Sequence, residues 1–119
     1  WYYKLTSVSN ASSDLMAGNY IDYAAIDDDT APAAIATGDK VEFIYIKNTD
    51  TANDIYVVFD GGTVANTATD AVKISPNQSF YGRFPNATVA DVHAIGYDPT
   101  AAAAATATCI VCALLDDIA

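Results

Sequence analysis

Apolar and polar residues alternate with a period of two along much of this chain, the pattern of strands with one covered face. Residues 1–8 set Trp1, Tyr3 and Leu5 against Tyr2, Lys4 and Thr6 and predict a first strand. Residues 10–18 are rich in Ser and Asn and predict a loop. Residues 19–26, with Tyr20, Ile21 and Tyr23, predict a second strand, closed by the turn Asp27-Asp28-Asp29. Residues 33–36 predict a short edge strand with Pro32 at its start, where a missing N–H does no harm. Residues 40–47 carry the strongest strand signal, and residues 54–60 the next, stopped by Gly61-Gly62. The short Asn/Thr/Asp loop between them predicts that these two strands pair as an antiparallel hairpin. Further strands are predicted over 71–75, 79–84, 88–97 and 106–115, with Pro76-Asn77 turning the chain between the first two. Asp98-Pro99 is a helix-start signal, an Asp cap with Pro at the first position, but β-branched Thr106 limits it to one turn.

The expected fold is therefore all-β. It is one domain over residues 1–119, an antiparallel β-sandwich of about eight or nine short strands, jelly-roll-like or immunoglobulin-like, with the jelly roll preferred. Alternation in the clearest strands predicts a core of Phe43, Tyr45, Ile55, Val57, Phe59, Val89, Ile95, Ile110 and Leu114.

Composition agrees and narrows the function. Of 15 acidic residues only Glu42 is Glu, and Lys is confined to positions 4, 40, 47 and 73. Asp favours turns, whereas Glu and Lys favour helix surfaces. The net charge of −10 and five scattered basic residues exclude a phosphate-backbone binder, which needs clustered Lys and Arg. The same charge disfavours anionic membranes, and no apolar run approaches the roughly 18 residues of a spanning helix. Residues 1–4 lead into polar Thr, Ser and Asn and do not read as a signal peptide. The first residue is Trp, so a mature or trimmed product is expected. Apolar residues make up 52% of the chain, which leaves broad neutral surface of the kind that marks interfaces. Trp1, Tyr2 and Tyr3 are the expected partner interface, because an aromatic terminus must be covered by its own sheet or by a neighbour.

Candidate chemistry is sparse. Cys109 and Cys112 form a C-x-x-C, but in a strand a separation of three sets the two thiols on opposite faces. They are expected to be free and unmetallated, two small hydrophobes. His93, the single His, shares its predicted strand face with Asp91 and Ile95 and is expected to be structural. Asp27, Asp28 and Asp29, with Asp22 upstream, offer hard oxygens for a weak surface cation but lack calcium-loop spacing, so a solvated turn is expected. The aromatic residues invite a sugar-stacking reading, yet their strand positions suit a core. Asn10, Asn77 and Asn86 head glycosylation-type triplets that are expected by chance in an Asn/Thr-rich chain. No Ser-His-Asp order, glycine-rich phosphate loop or H-x-x-x-H occurs. Neither an enzyme nor a cofactor is expected.

The central half also carries a resemblance. Residues 41–48 run Val-Glu-Phe-Ile-Tyr-Ile-Lys-Asn and residues 55–62 run Ile-Tyr-Val-Val-Phe-Asp-Gly-Gly. Residues 72–80 then run Val-Lys-Ile-Ser-Pro-Asn-Gln-Ser-Phe, and residues 89–95 close the series. This order resembles small β-sandwich structural proteins of tailed bacteriophages, especially capsid decoration (cement) proteins. The resemblance implies a non-enzymatic protein on the capsid surface of a virion. It would bridge major capsid protein or other virion proteins, in several symmetric copies, with no nucleic acid or membrane partner. The rival expectation is a glycan- or host-surface-binding module of a fibre or adhesin. An exposed aromatic row on one sheet face favours that rival; aromatics buried in the core or in a protein interface favour the cement reading.

Overall fold

The computed structural model describes residues 1–17, 19–20 and 33–116. The strands are β1 (Tyr2–Val8), β2 (Ser13–Asp14), β3 (Asn19–Tyr20), β4 (Ala33–Ala34), β5 (Lys40–Asn48) and β6 (Asp54–Val58). They continue with β7 (Val72–Ile74), β8 (Ser79–Thr88), β9 (His93–Asp98), β10 (Ala103–Ala104) and β11 (Ala107–Asp116). The predicted strand over 19–26 is described only at its start. The Asp27-Asp28-Asp29 turn, with Asp22 and Pro32, lies outside the described residues.

Two antiparallel sheets face each other. The front sheet has the order β1-β11-β5-β8, and the back sheet β10-β9-β6-β7 with β2 also paired to β9. Setting aside the two-residue β3, β4 and β10, the front sheet alternates early and late strands, and the back sheet runs β2-β9-β6-β7. This is the jelly-roll order, two Greek keys wrapped into a double sheet.

The predicted hairpin of residues 40–47 and 54–60 is not formed. β5 pairs with β11 and β8, while β6 pairs with β7 and β9. The loop between them crosses from one sheet to the other. Asn48, fully buried, anchors the crossing: its amide donates to the carbonyls of Asn53 (2.8 Å) and Ile74 (2.9 Å). Asp50 Oδ1 then accepts the Ala52 and Asn53 N–H groups, both at 2.9 Å. Those amides, Ala52 first, hold the Asp50 carboxyl below the usual carboxylate range. Both strands need their apolar faces covered, and stacking them covers both where edge-to-edge pairing covers neither.

The core lies between the sheets: Tyr2, Val41, Ile44 and Ile46 meet Ile55, Val57, Val92 and Ala94, with Val111 and Cys109 from β11. Of the predicted core, Ile55, Val57 and Val89 are buried; Phe43, Tyr45, Phe59, Ile95 and Ile110 are half-buried and Leu114 is exposed. The predicted faces of β5 and β11 are thus largely reversed. β5 contains a bulge between Val41 and Ile44, which keeps both of those residues inside and turns Glu42 and Phe43 outward. In β11 the small residues Cys109, Val111 and Ala113 point inward, because the large residues of β5 and β6 already fill the space.

The predicted strand over 88–97 is also broken. Residues 89–91 form a 3-10 turn, fixed by Asp91 Oδ2, which accepts from the Thr88 N–H (2.9 Å) and hydroxyl (3.1 Å). Asp91 therefore does not share a strand face with His93. Asp98 caps a turn, accepting the Thr100 N–H at 2.8 Å, and the chain doubles back as β10 with no helix.

Candidate functional site

The outer faces of the two sheets differ. Against the back sheet lies its own loop over residues 59–71, in which Val64 is buried, as is Val58 at the end of β6. Three contacts hold that loop. The Val64 N–H donates to Ser12 Oγ at 3.0 Å, the Gly61 N–H donates to the Asp91 carbonyl at 3.0 Å, and His93 Nδ1 donates to the Gly62 carbonyl at 2.8 Å. His93 Nε2 lies 3.0 Å from Asp14 Oδ1 on β2. The single His thus ties β9 to β2 and to the loop, the structural role expected for it. Asp60 at the loop start accepts the Gly62 N–H, and this bond above all holds its carboxyl below the usual range.

No described segment roofs the front sheet. Its registers place Tyr3 beside Cys112, Cys112 beside Tyr45 and Tyr45 beside Tyr81, one row across four strands. A second row runs Leu5, Ile110, Lys47, Ser79. At the other end Leu114 lies beside Phe43, whose ring centroid is 6.5 Å from that of Tyr81. Tyr3 is 68% exposed, Leu5 66%, Tyr81 71% and Leu114 39%. Trp1, 42% exposed, precedes β1 at the same end. At roughly 200 Å² for a whole aromatic side chain, Trp1, Tyr3 and Tyr81 alone expose on the order of 350 Å² of mostly apolar surface. With the two leucines the patch reaches the upper part of the roughly 300–600 Å² range in which the largest patch of a monomer is often functional.

The charges avoid this face. Within it lie Lys47 and, at the far end, the pair of Glu42 and Arg83, 3.6 Å apart, with Lys40 beside Asp116 at the rim. The aspartates of the described chain sit on loops, on the back sheet or at the rim. A −10 protein therefore keeps most of its acid off one largely apolar surface.

The expected interface residues separate by alternation. Trp1 and Tyr3 belong to the open face. Tyr2 is a core residue, 1% exposed, its hydroxyl donating to the Ala17 carbonyl at 3.3 Å; burial raises its phenol pKa despite that bond. Missed by sequence reasoning were Leu5, Phe43, Tyr45, Tyr81 and Leu114. The signal for them was present: β5 and β11 carry apolar residues at both alternating positions, so each must cover two faces.

The cysteines lie on opposite faces, as their spacing requires. Both are free, Cys109 in the core and Cys112 half-buried in the open face. Burial pushes the Cys109 thiol up to about 11 from 9.0 and also raises Cys112. The fold holds the Cys109 proton after the unfolded chain has lost it. Its contribution to stability is therefore present below pH 9 and falls as pH rises from 9 toward 11. At pH 8 a maleimide should label Cys112 of the native protein and leave Cys109 unmodified until denaturant is added, read by peptide mass mapping.

A cleft of about 490 Å³ opens beside β8, lined by Phe59, Asp60, Arg83, Phe84, Asn86 and Asp91 among others. Its floor is the stacked pair of Phe59 and Phe84, with centroids 3.9 Å apart. Its charged groups already have structural bonds: Asp60 to Gly62, Asp91 to Thr88 and Arg83 to Glu42. Among the described residues no three His, Cys, Asp or Glu side chains gather as a metal site would require. No protein-family model, curated protein or solved structure matches the chain.

Proposed function

We propose that this protein is a non-enzymatic virion structural protein that decorates and stabilises a phage capsid, docking on coat subunits through the open face of its front sheet. The observation that carries the docking reading is that face: contiguous, aromatic and aliphatic, with its charges confined to the ends, on a strongly acidic protein. Interface centres are enriched in aromatics and depleted of Lys, Glu and Asp, as this face is. The virion setting is supported by the resemblance of residues 41–95 to decoration proteins and, as fold analogy, by the use of jelly rolls in capsids.

The row of exposed Tyr3 and Tyr81 with half-buried Tyr45 between them favours a second reading, a glycan-binding module. Sugars need rings with hydrogen-bonding side chains between them. Here Cys112, Ile110, Leu5 and Leu114 fill most of the space beside the rings, and the Ser79 hydroxyl is already bonded to the Tyr45 hydroxyl at 2.9 Å, so protein contact is the better account.

The test compares attachment of the wild-type chain with Tyr3→Asp and Tyr81→Asp, by co-sedimentation with icosahedral shells lacking the protein. Attachment should be lost in both variants while their circular dichroism is unchanged. Shells without the protein should break at lower temperature or chelator stress. Equal robustness of bare and decorated shells, together with glycan-array binding that needs the same tyrosines, transfers the assignment to the glycan module.

A further inference from the structure

We propose that two copies of this chain pair face to face through the open face, about a twofold axis along the Tyr3-Cys112-Tyr45-Tyr81 row, so that the free protein shields the face until a larger partner takes it. The proposal rests on the reading of that face as a protein-docking surface and names its occupant in solution.

Charge placement argues for a second copy. β5 carries Glu42 at one end of the face and Lys47 at the other, and their midpoint falls between Ile44 and Tyr45, on that row. Glu42 is drawn to the outward side by Arg83, which also donates from Nε to the Glu42 carbonyl at 3.4 Å. A twofold axis along the row sets the strands of the two copies antiparallel. It lays each Lys47 over the Glu42 end of the opposite β5. Sheets packed in this aligned manner lie about 10 Å apart, a gap that Lys and Glu side chains span together. Each copy thus supplies both halves of two symmetric ion pairs, as an isologous interface requires. Of the other described carboxylates, only Asp116, in register with Lys40 at the Glu42 end, lies on the front sheet. Each copy would bury on the order of 500 Å², about 1,000 Å² for the pair, the lower bound of a specific interface. That modest area suits an association that gives way when coat subunits offer more.

Sedimentation velocity over about a hundredfold concentration range should show a reversible monomer–dimer equilibrium for the wild-type chain. Lys47→Glu and Glu42→Lys each place like charges opposite one another at both contacts and should each weaken the dimer by about tenfold or more. Mixed in equal amounts, the two variants restore an acid opposite a base at both contacts and should dimerise as the wild type does. Cys112 lies in the row on the axis, so a short thiol-to-thiol crosslinker should join two wild-type copies and fail with Cys112→Ala. This readout serves even if a charge variant does not fold. A crosslinked dimer should no longer attach to shells. A wild-type chain that stays monomeric and uncrosslinked, or a mixture no tighter than its separate variants, overturns the pairing. If Tyr3→Asp still abolishes shell attachment in that case, the docking reading stands without it; if Tyr3→Asp changes neither property, both fail.

Discussion

Tyr2→Ala should remove on the order of 3–5 kcal/mol of folding stability, whereas Tyr3→Ala, one residue along, should change it by no more than about 0.5 kcal/mol. Tyr2 is 1% exposed and lies in the core cluster with Val41, Ile44 and Val111. Its removal leaves a ring-sized cavity between the sheets and the Ala17 carbonyl without its donor. Tyr3 is 68% exposed and contacts the row of the open face. Functional loss should follow the reverse order, with Tyr3→Ala impairing self-association and shell attachment and a folded Tyr2→Phe retaining both. Urea denaturation of the variants, followed by sedimentation and co-sedimentation, checks the contrast. Equal stability losses at the two positions would mean that the faces of β1 are assigned the wrong way round. Deleting residues 1–5 is a poorer probe than either substitution, because it strips an edge strand and a core ring together.

Gly96→Ala should cost about 3 kcal/mol or more, and lower the melting temperature by roughly 10 °C or more. The chain leaving β10 passes directly against β9 at this residue on its way to the front sheet. The Gly96 N–H donates to the Ser9 carbonyl at 2.9 Å, and the Ala105 N–H donates to the Gly96 carbonyl at 3.0 Å. A Cβ on Gly96 would fall on the Ala105 carbonyl oxygen and stand 3.0 Å from the Ala107 nitrogen. These are backbone atoms, fixed by the start of β11, and no rotamer change relieves the contact. Gly38→Ala is the matched control. Nothing lies within 4 Å of a Cβ there, so the substitution should be neutral or slightly stabilising, by up to about 1 kcal/mol, through the unfolded chain. Calorimetry of the two variants decides it. A Gly96→Ala protein that melts with the wild type would show that the crossing at Ala105 is looser than described.

Strand identity was readable locally because it depends on local properties. β-branched and aromatic runs bounded by Asp, Asn, Gly and Pro located the longer strands but not β2, which lies within the predicted loop over 10–18, and the turn at Asn77, with φ 64°, falls at the predicted Pro76-Asn77. The opposite facing of Cys109 and Cys112 followed from the pleat alone. The candidate site was half readable: Trp1 and Tyr3 were singled out, but Tyr2 was grouped with them although alternation sends it to the other side.

What the sequence by itself determined is an all-β sandwich and the places of its longer strands, though not β2, which falls in the stretch read as a loop, nor β10. Tertiary structure alone decided which strands pair, which face of each is inside, and therefore where the open face lies. The physical reason is a degeneracy. β5 and β11 are apolar on both faces, so a period of two leaves the inward side undetermined, and a single bulge at Glu42 and Phe43 changes it partway along the strand. Sheet membership is likewise non-local. The short loop after Asn48 fits a hairpin as well as a crossover, and the buried Asn48 amide, bonded to Asn53 and Ile74, anchors the crossing that takes β6 to the other sheet. Space between the sheets then selected the small side chains of β11 for the core and left Ile110, Cys112 and Leu114 to the open face.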